Sequence, residues 1–468
     1  MSRAYDADPP PRWHLTDLQV LECAAVTVVG IWAGWLAAVA AALVLWATHR
    51  RAVPLALAAV LGVVGCVAGH HAWSEATPRH LAPFTGWARL AADPTPAGTG
   101  LRVTLQMQGE RFDAFVYGTQ RAQFATHQSG EYAWVVGRRL PLTRDPRRSQ
   151  VRHVVGRFAV DVLGDVVAGN PLATASNRVR SALRRAANRS MAPADATLFT
   201  GLVIGDDAQQ PPWLIDDFRA SGLSHLTAVS GQNVSYMLAA ALPLLRRLRP
   251  WWRWAATVGL IAWFMALTRF EPSVLRAGAM AMLAATAFVL GRQPHPLRLV
   301  ASAVVVLTLG DPLLVWSVGF WLSVCATIGV CAVAPWLVAR LAGPHWLRLA
   351  LGVTLGAQAG VALPSLLVFH RLPVISVPAN LAAVPVAGFV MLYGLPAGLV
   401  ASVLPGFAAS TVMLPSVVGT RWVSTVAQVA AAAEPPAVWA AGLWVVGGVA
   451  LVLHLRRRSR APAGSVPI

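Results

Sequence analysis

The chain runs to 468 residues, of which 56% are hydrophobic and only 12% charged. A soluble domain carries about a quarter charged residues, so the composition argues against a soluble globular fold and for a polytopic α-helical membrane protein. Basic residues outnumber acidic ones 38 to 20, a net charge of +18, and every basic residue is arginine. A polyanion partner and the ordinary cytoplasmic loops of a membrane protein both fit that excess.

The opening, MSRAYDADPPPRWHLTD, is acidic and proline-rich, unlike the basic start of a secretory signal. Apolar residues then fill 20–48, more than the roughly 20 residues one span needs, which fits two short helices. His49-Arg50-Arg51 follows, then a second apolar run at 52–69, so residues 1–71 read as N-terminal membrane helices.

From 72 to 175 the composition changes. "GWARL", "LRVTLQM", "RFDAFVYG", "EYAWVVGRRL" and "HVVGRFAVDVL" alternate strong β-formers with polar residues, and Gly, Pro and Asp punctuate them. Some five short strands in a hundred residues predict a small inserted β-barrel of the OB-like kind. Its candidate phosphate ligands are Arg138, Arg139, Arg147, Arg148 and Arg152. Trp134, Tyr132, Phe112 and Tyr117 are candidates for stacking on bases, although half of these aromatics fit a barrel core equally well. Residues 176–220 follow as connecting amphipathic helices, beginning with the basic "NRVRSALRRAANRS".

Residues 221–433 form the main membrane region, and 434–468 a last membrane helix with a basic tail. Apolar runs sit near 226–245, 254–268, 274–290, 299–316, 318–338, 349–369, 374–395, 397–419 and 437–455. With the N-terminal helices this predicts about ten to twelve spans. The clusters Arg246/Arg247/Arg249/Arg253, Arg292/Arg298 and Arg340/Arg348 fall on one side when spans alternate. The positive-inside rule makes that side, and the terminal "RRRSR", cytoplasmic, with the β domain opposite.

Four polar clusters interrupt the apolar helices. In "SGLSHLTAVSGQNVSYM", His225 and Gln232 share one helical face while Ser230 and Asn233 share another; a lining role and a structural one are evenly balanced. In "RFEPSVLRAGAMAML", Pro272 suits a first helical turn, Ser273 follows, and Arg276 sits a turn inside an apolar span. Arg276 either snorkels to the interface or points inward as a bidentate donor for an anion. In "GDPLLVWSVGFWLSVCATIGV", the small residues Ser317, Gly319, Ser323, Thr327 and Gly329 fit close helix packing, leaving Asp311 as the functional candidate. In "AQAGVALPSLLVFHRLPVISVPANLAAVPVAG", Gln358, Pro364, His370 and Asn380 stand among prolines expected to kink or break the helices. Such breaks often mark transport paths.

In order, "GLSHLTAVSGQNV", "PSVLRAGAM", "DPLLVWSVGFWLSVCATIGV" and "LPSLLVFHRLPVISVPANLAAVPV" resemble the competence region of ComEC-type proteins, the bacterial DNA-uptake channel family. The β-rich 72–175 resembles the extracytoplasmic OB-like domain of that family. The resemblance implies an inner-membrane channel that passes single-stranded DNA into the cytoplasm during natural transformation, with His225, Ser230, Pro272, Ser273, Arg276, Asp311, Pro364, His370 and Asn380 at motif positions. It also implies an extracytoplasmic DNA receptor and a cytoplasmic helicase-like motor as partners, besides the lipid bilayer.

Two departures stand out. Many members carry histidine where this chain has Asn233. Many also end in a metallo-β-lactamase-like domain built on an H-x-H-x-D-H cluster, whereas the segment after Glu434 has only His454. No nuclease activity is therefore expected of this chain, and strand degradation falls to a separate nuclease. No metal or cofactor is expected: the four cysteines lie in apolar segments without a C-x-x-C pair, and a chain without lysine has no P-loop.

Two rival readings stay open. One is a small-molecule or lipid transporter on the same broken helices. The other is an intramembrane hydrolase using Ser230 and His225, which helical geometry points about 140° apart with no acidic residue nearby to orient the imidazole.

Overall fold

The computed structural model describes residues 15–49, 52–143, 145–227 and 231–436, with parts of 439–449. The expected helix at 437–455, the tail and Ser230 therefore lie wholly or partly outside the described residues.

The long N-terminal apolar run is two helices, α1 (Asp17–Ala33) and α2 (Trp35–His49). They part at Gly34, whose φ of 87° lies in the left-handed region that favours glycine. Thr16 and Gln19 form a capping box that starts α1. Helix α3 (Ala52–Glu75) packs closely on α1, because a side chain at Gly30 would overlap the Gly62 carbonyl. Small residues allow this approach between apolar helices.

A six-stranded sheet follows: β1 (Pro83–Leu90), β2 (Thr95–Ala97), β3 (Gly100–Met107), β4 (Glu110–Val116), β5 (Tyr132–Pro141) and β6 (Val154–Val167). Short helices α4 (Gly118–Phe124) and α5 (Pro146–Gln150) flank β5. Neighbours run β1-β5-β6-β4-β3-β2, and β1 also pairs with β3 at Arg89↔Gln106 and Leu90↔Leu105. Among the described residues only β4 and β6 are parallel partners. Alternation sends Leu90, Val103, Leu105, Phe112, Val135 and Phe158 into one shared core.

Helix α6 (Pro171–Ser190) leads into α7 (Pro193–Ile204), α8 (Pro212–Ala220), the single turn α9 (Ser224–Thr227) and α10 (Gly231–Leu245). Then come α11 (Pro250–Leu267), α12 (Pro272–Val289) and α13 (Pro296–Gly310), followed by a 3-10 turn at Pro312–Trp316. The chain continues through α14 (Val318–Ala332), α15 (Ala334–Arg340), α16 (His345–Phe369), α17 (Ser376–Val403) and α18 (Gly406–Ala433).

Among the described residues, five helical segments are long and apolar enough to cross a membrane: Leu55–Glu75, Pro272–Val289, Val318–Arg340, His345–Phe369 and Ser376–Val403. These fit a membrane protein, and apolar side chains such as Leu363, Leu367 and Val403 stand exposed on them. The expected ten to twelve spans are not reached among those residues. Helices such as α10 and α13, at 15 residues each, fall short of the length a hydrocarbon core requires.

Of the breaks expected at prolines, some are absent. Helix α16 runs through Pro364, α17 through Pro385 and Pro396, and α18 through Pro415. The break at 370–375 falls where the apolar runs 349–369 and 374–395 part, at His370 and Pro373, whereas the next one lies at Leu404-Pro405 and not at Pro396.

Candidate functional site

Arg276 is a buried charge in the helical region. It lies in the second turn of α12, after Pro272 at the first helical position, and is only 6% exposed. Its Nε and one terminal nitrogen donate to Ser323 Oγ on α14 at 3.0 and 2.6 Å, and the other terminal nitrogen approaches Met280 Sδ at 3.4 Å. Among the described residues no carboxylate pairs with it. Gly231 opens the approach, since a Cβ there would stand 3.0 Å from an Arg276 terminal nitrogen and 2.8 Å from the Ala277 Cβ. The start of α10 and Ser273 therefore flank a planar guanidinium held only by neutral groups. A guanidinium fork of this kind can take a phosphate supplied from outside bidentately.

The other polar residues of the entry stretch divide. His225 is exposed on α9. Gln232, also exposed, donates to Tyr236 Oη at 2.6 Å. Asn233 is buried and donates to the Leu202 carbonyl at 2.8 Å. It borders an apolar cavity of about 310 Å³ whose walls include Val203, Met237, Trp263 and Leu395.

The first and fourth polar clusters meet at the start of α17. Gln358 donates to Ser376 Oγ at 2.9 Å, and Asn380 donates to the Ser376 carbonyl at 2.7 Å. Gly222, with φ at +73°, presses on the same residue, since a Cβ would lie 2.6 Å from the Ser376 Cβ. Glu434 accepts the backbone N–H groups of Val374 and Ile375 at 3.2 and 3.0 Å, satisfying donors at the mouth of α17. His370 is exposed at the end of α16 with φ at 54°. Pro364 sits one and a half turns before it.

Asp311 lies at the junction with the sheet domain. It accepts the Leu313 N–H at 3.1 Å, and its other oxygen meets His153 Nε2 at 2.9 Å. Trp73 and Trp316 contact edge-on beside this pair, ring centroids 5.1 Å apart.

On the sheet, Arg138, Arg147 and Arg148 are exposed. Arg152 pairs with Asp113 at 3.0 Å. Arg139 is 5% exposed and tied to the Ala82 carbonyl, to Gln108 and to the Phe84 ring, a set of contacts that builds the fold. Tyr132 and Trp134 are exposed on the outer face of β5, and Trp134 meets Trp87 edge-on at 5.5 Å. Phe112 is completely buried in the core, which removes it from the stacking candidates; its place opposite Leu105 is read from register, not from composition. Tyr117 is exposed.

Sequence reasoning missed the charge network that joins sheet and helices. Arg180 of α6, 2% exposed, bridges Asp93 at 2.9 Å and Asp206 at 3.3 Å, and donates to the Ile204 and Leu267 carbonyls. Arg184 binds Asp206 as well, and Arg269 binds both Asp93 oxygens and Asn177. Burial raises the Asp93 pKa, but Arg180 and Arg269 outweigh it and hold the carboxyl at about 2. Arg269 and Phe270 adopt φ of 60° and 57° in succession, a strained turn that the Asp93 contacts help to hold. In sequence, Asp93 stands in "AADPTPAG" and looks like turn punctuation alone.

Comparison with known proteins joins these observations. The model of the competence protein family matches residues 202–458, more than half of the chain and the part that holds Arg276, Ser376 and Asn380. The ComE operon protein 3 of Bacillus subtilis (strain 168) is 30% identical over 219 residues, which cover 45% of this chain and 27% of that relative. The chain thus matches little more than a quarter of that protein's length. No solved structure matches. The match runs from the end of α7 through every polar cluster of the helical region, and on that ground the chain belongs to the competence protein family, of the ComEC type.

Proposed function

We propose that this protein is a multi-pass inner-membrane channel that takes up DNA during natural transformation and passes a single strand into the cytoplasm. One observation carries the reading: Arg276 is buried among helices with Ser323 and Met280 as side-chain neighbours and no carboxylate partner among the described residues. A guanidinium in apolar surroundings costs roughly 2.5–3.5 kcal/mol at mid-membrane, less toward a helix end. A passing phosphodiester offsets that cost while it is in contact.

The sheet domain is read as an OB-like barrel on the outer side. The return of β1 to β3 and the parallel β4–β6 pair support this. Trp134, Trp87 and Tyr132 would stack on bases while Arg138, Arg147 and Arg148 meet phosphates. Strand movement is assigned to a cytoplasmic helicase-like motor and capture to an outer receptor. Strand degradation belongs to a separate nuclease, since this chain is read as a conduit and not an enzyme.

The test is a strain in which Arg276→Ala replaces the native residue, scored separately for DNA bound at the surface and DNA reaching the cytosol. Retained binding with lost entry supports the channel. Normal entry with normal protein level overturns it. A small-molecule or lipid transporter is the competing reading, favoured by the apolar cavity beside Asn233; a solute-uptake defect with normal transformation would select it.

A further inference from the structure

The two ends of α12 face different surroundings. Its N-terminal end adjoins Arg269, which is bound to Asp93 of the sheet domain, and the end of α13 adjoins Asp311, which is bound to His153. The turn between α12 and α13 therefore lies a helix length from the sheet domain, about 27 Å for 18 residues. Arg253 of α11 comes to the same end, over the Phe288 ring at 4.9 Å.

At that turn a cleft of about 420 Å³ opens between Leu283, Ala287, Arg292, Gln293, Arg298 and Ser302. It has two chemically different walls. Leu283 and Ala287 continue the apolar flank of α12, and Phe288 and Leu290 beside them are 58% and 61% exposed. The mouth carries Arg292, Gln293 and Ser302, whose side chains make no hydrogen bond or ion pair with another described residue. Arg298 is already engaged, by Asp17 at 2.8 Å and by the Leu15 carbonyl, so it orders the rim and leaves Arg292 as the uncompensated charge. No carboxylate lines the cleft.

A charged mouth above an apolar wall, at the end of a membrane-length helix, matches an amphiphile with a negative head. The geometry points to a binding site for the phosphate of an anionic phospholipid, held by Arg292 with Gln293 and Ser302, its acyl chain lying along Leu283 and Ala287. Basic pockets between helices at the surface away from the extracytoplasmic side take such headgroups. A free phosphate would satisfy the same donors but not the apolar wall. A DNA strand leaving the channel would satisfy the donors too, without filling that wall.

The experiment uses the full chain in nanodiscs of phosphatidylcholine doped with phosphatidylglycerol, followed by detergent extraction and quantification of the phosphatidylglycerol retained per protein. The wild-type protein should retain it selectively over phosphatidylcholine. Arg292→Ala should lower that retention about fivefold, the loss expected of one interfacial arginine. Arg340→Ala, on a half-buried arginine stacked over Trp336, should leave retention unchanged and serves as the control for general surface charge. Equal retention by Arg292→Ala and wild type overturns the proposal, as does an equal loss in Arg340→Ala. Displacement of the lipid by millimolar inorganic phosphate alone would make this a free-anion site, and displacement by oligothymidylate a DNA exit contact. Either result overturns the lipid assignment.

Discussion

Arg180 and Asp93 meet at 2.9 Å across the boundary between the helices and the sheet, with the arginine 2% exposed. Two aspartates and two carbonyls surround this one guanidinium. Breaking a buried pair by removing one partner costs about 3–5 kcal/mol, because the remaining charge stays buried. Arg180→Ala should therefore lower the unfolding temperature of the purified protein sharply, or leave little folded protein. Arg219→Ala, which loses only an exposed pair with Asp216, should unfold like the wild type.

The same junction sets a pH dependence. Asp93 is held at about 2 in the folded protein, against about 3.9 for an unperturbed aspartate. Because the folded value is depressed, its contribution of about 2 kcal/mol is complete above pH 4. It is lost as pH falls through 4 toward 2. Thermal unfolding followed between pH 7 and pH 3 should show this acid-side loss in the wild type, and a smaller one in Asp93→Asn, which begins less stable. Parallel curves for the two would contradict the assignment.

Arg276 and Ser323 make a graded pair of tests for the conduit. Arg276→Ala should reduce DNA entry by tenfold or more, since a bidentate charged contact is stronger than a neutral one. Arg276→Lys should retain part of the activity as a point charge without the fork. Ser323→Ala should have the smallest effect, because it frees the guanidinium without removing it. Entry of labelled DNA, normalised to protein in the membrane, checks the order.

Trp134 and Phe112 separate surface from core within the sheet domain. Trp134→Ala should weaken binding of an oligothymidylate to the full chain by about 1–3 kcal/mol, read by fluorescence anisotropy. Its effect on folding should be small, since 38% of the residue is exposed. Phe112→Ala should do the reverse and cost about 3–5 kcal/mol of stability.

Much of this architecture is legible in the chain, for reasons that differ by region. Alternation in "LRVTLQM" and "RFDAFV" places β3 and β4, because one face of each strand is buried in the core and the other carries the polar residues. Gly34 is foreshadowed by an apolar run too long for one helix. The apolar runs divide α17 from α18 near Pro396, whereas the division lies at Pro405. Proline inside a long apolar helix is tolerated when neighbours satisfy the freed carbonyl, so a proline in sequence does not announce a boundary. In sequence Ser323 is one more small packing residue, and its partnership with Arg276 depends on how α12 and α14 rotate against each other. Trp87 gains meaning only from the register that sets it opposite Trp134.

Gly329, Gly356 and Gly360 hold α14 and α16 so close that a single methyl on Gly329 or Gly360 would strike the opposing backbone. Two rods without clearance cannot slide, and α14 carries the hydroxyl on which Arg276 rests. The Arg276 guanidinium is thus bolted to a two-helix plank. If the passage widens for cargo, the yielding side is the opposite one, where α10 begins.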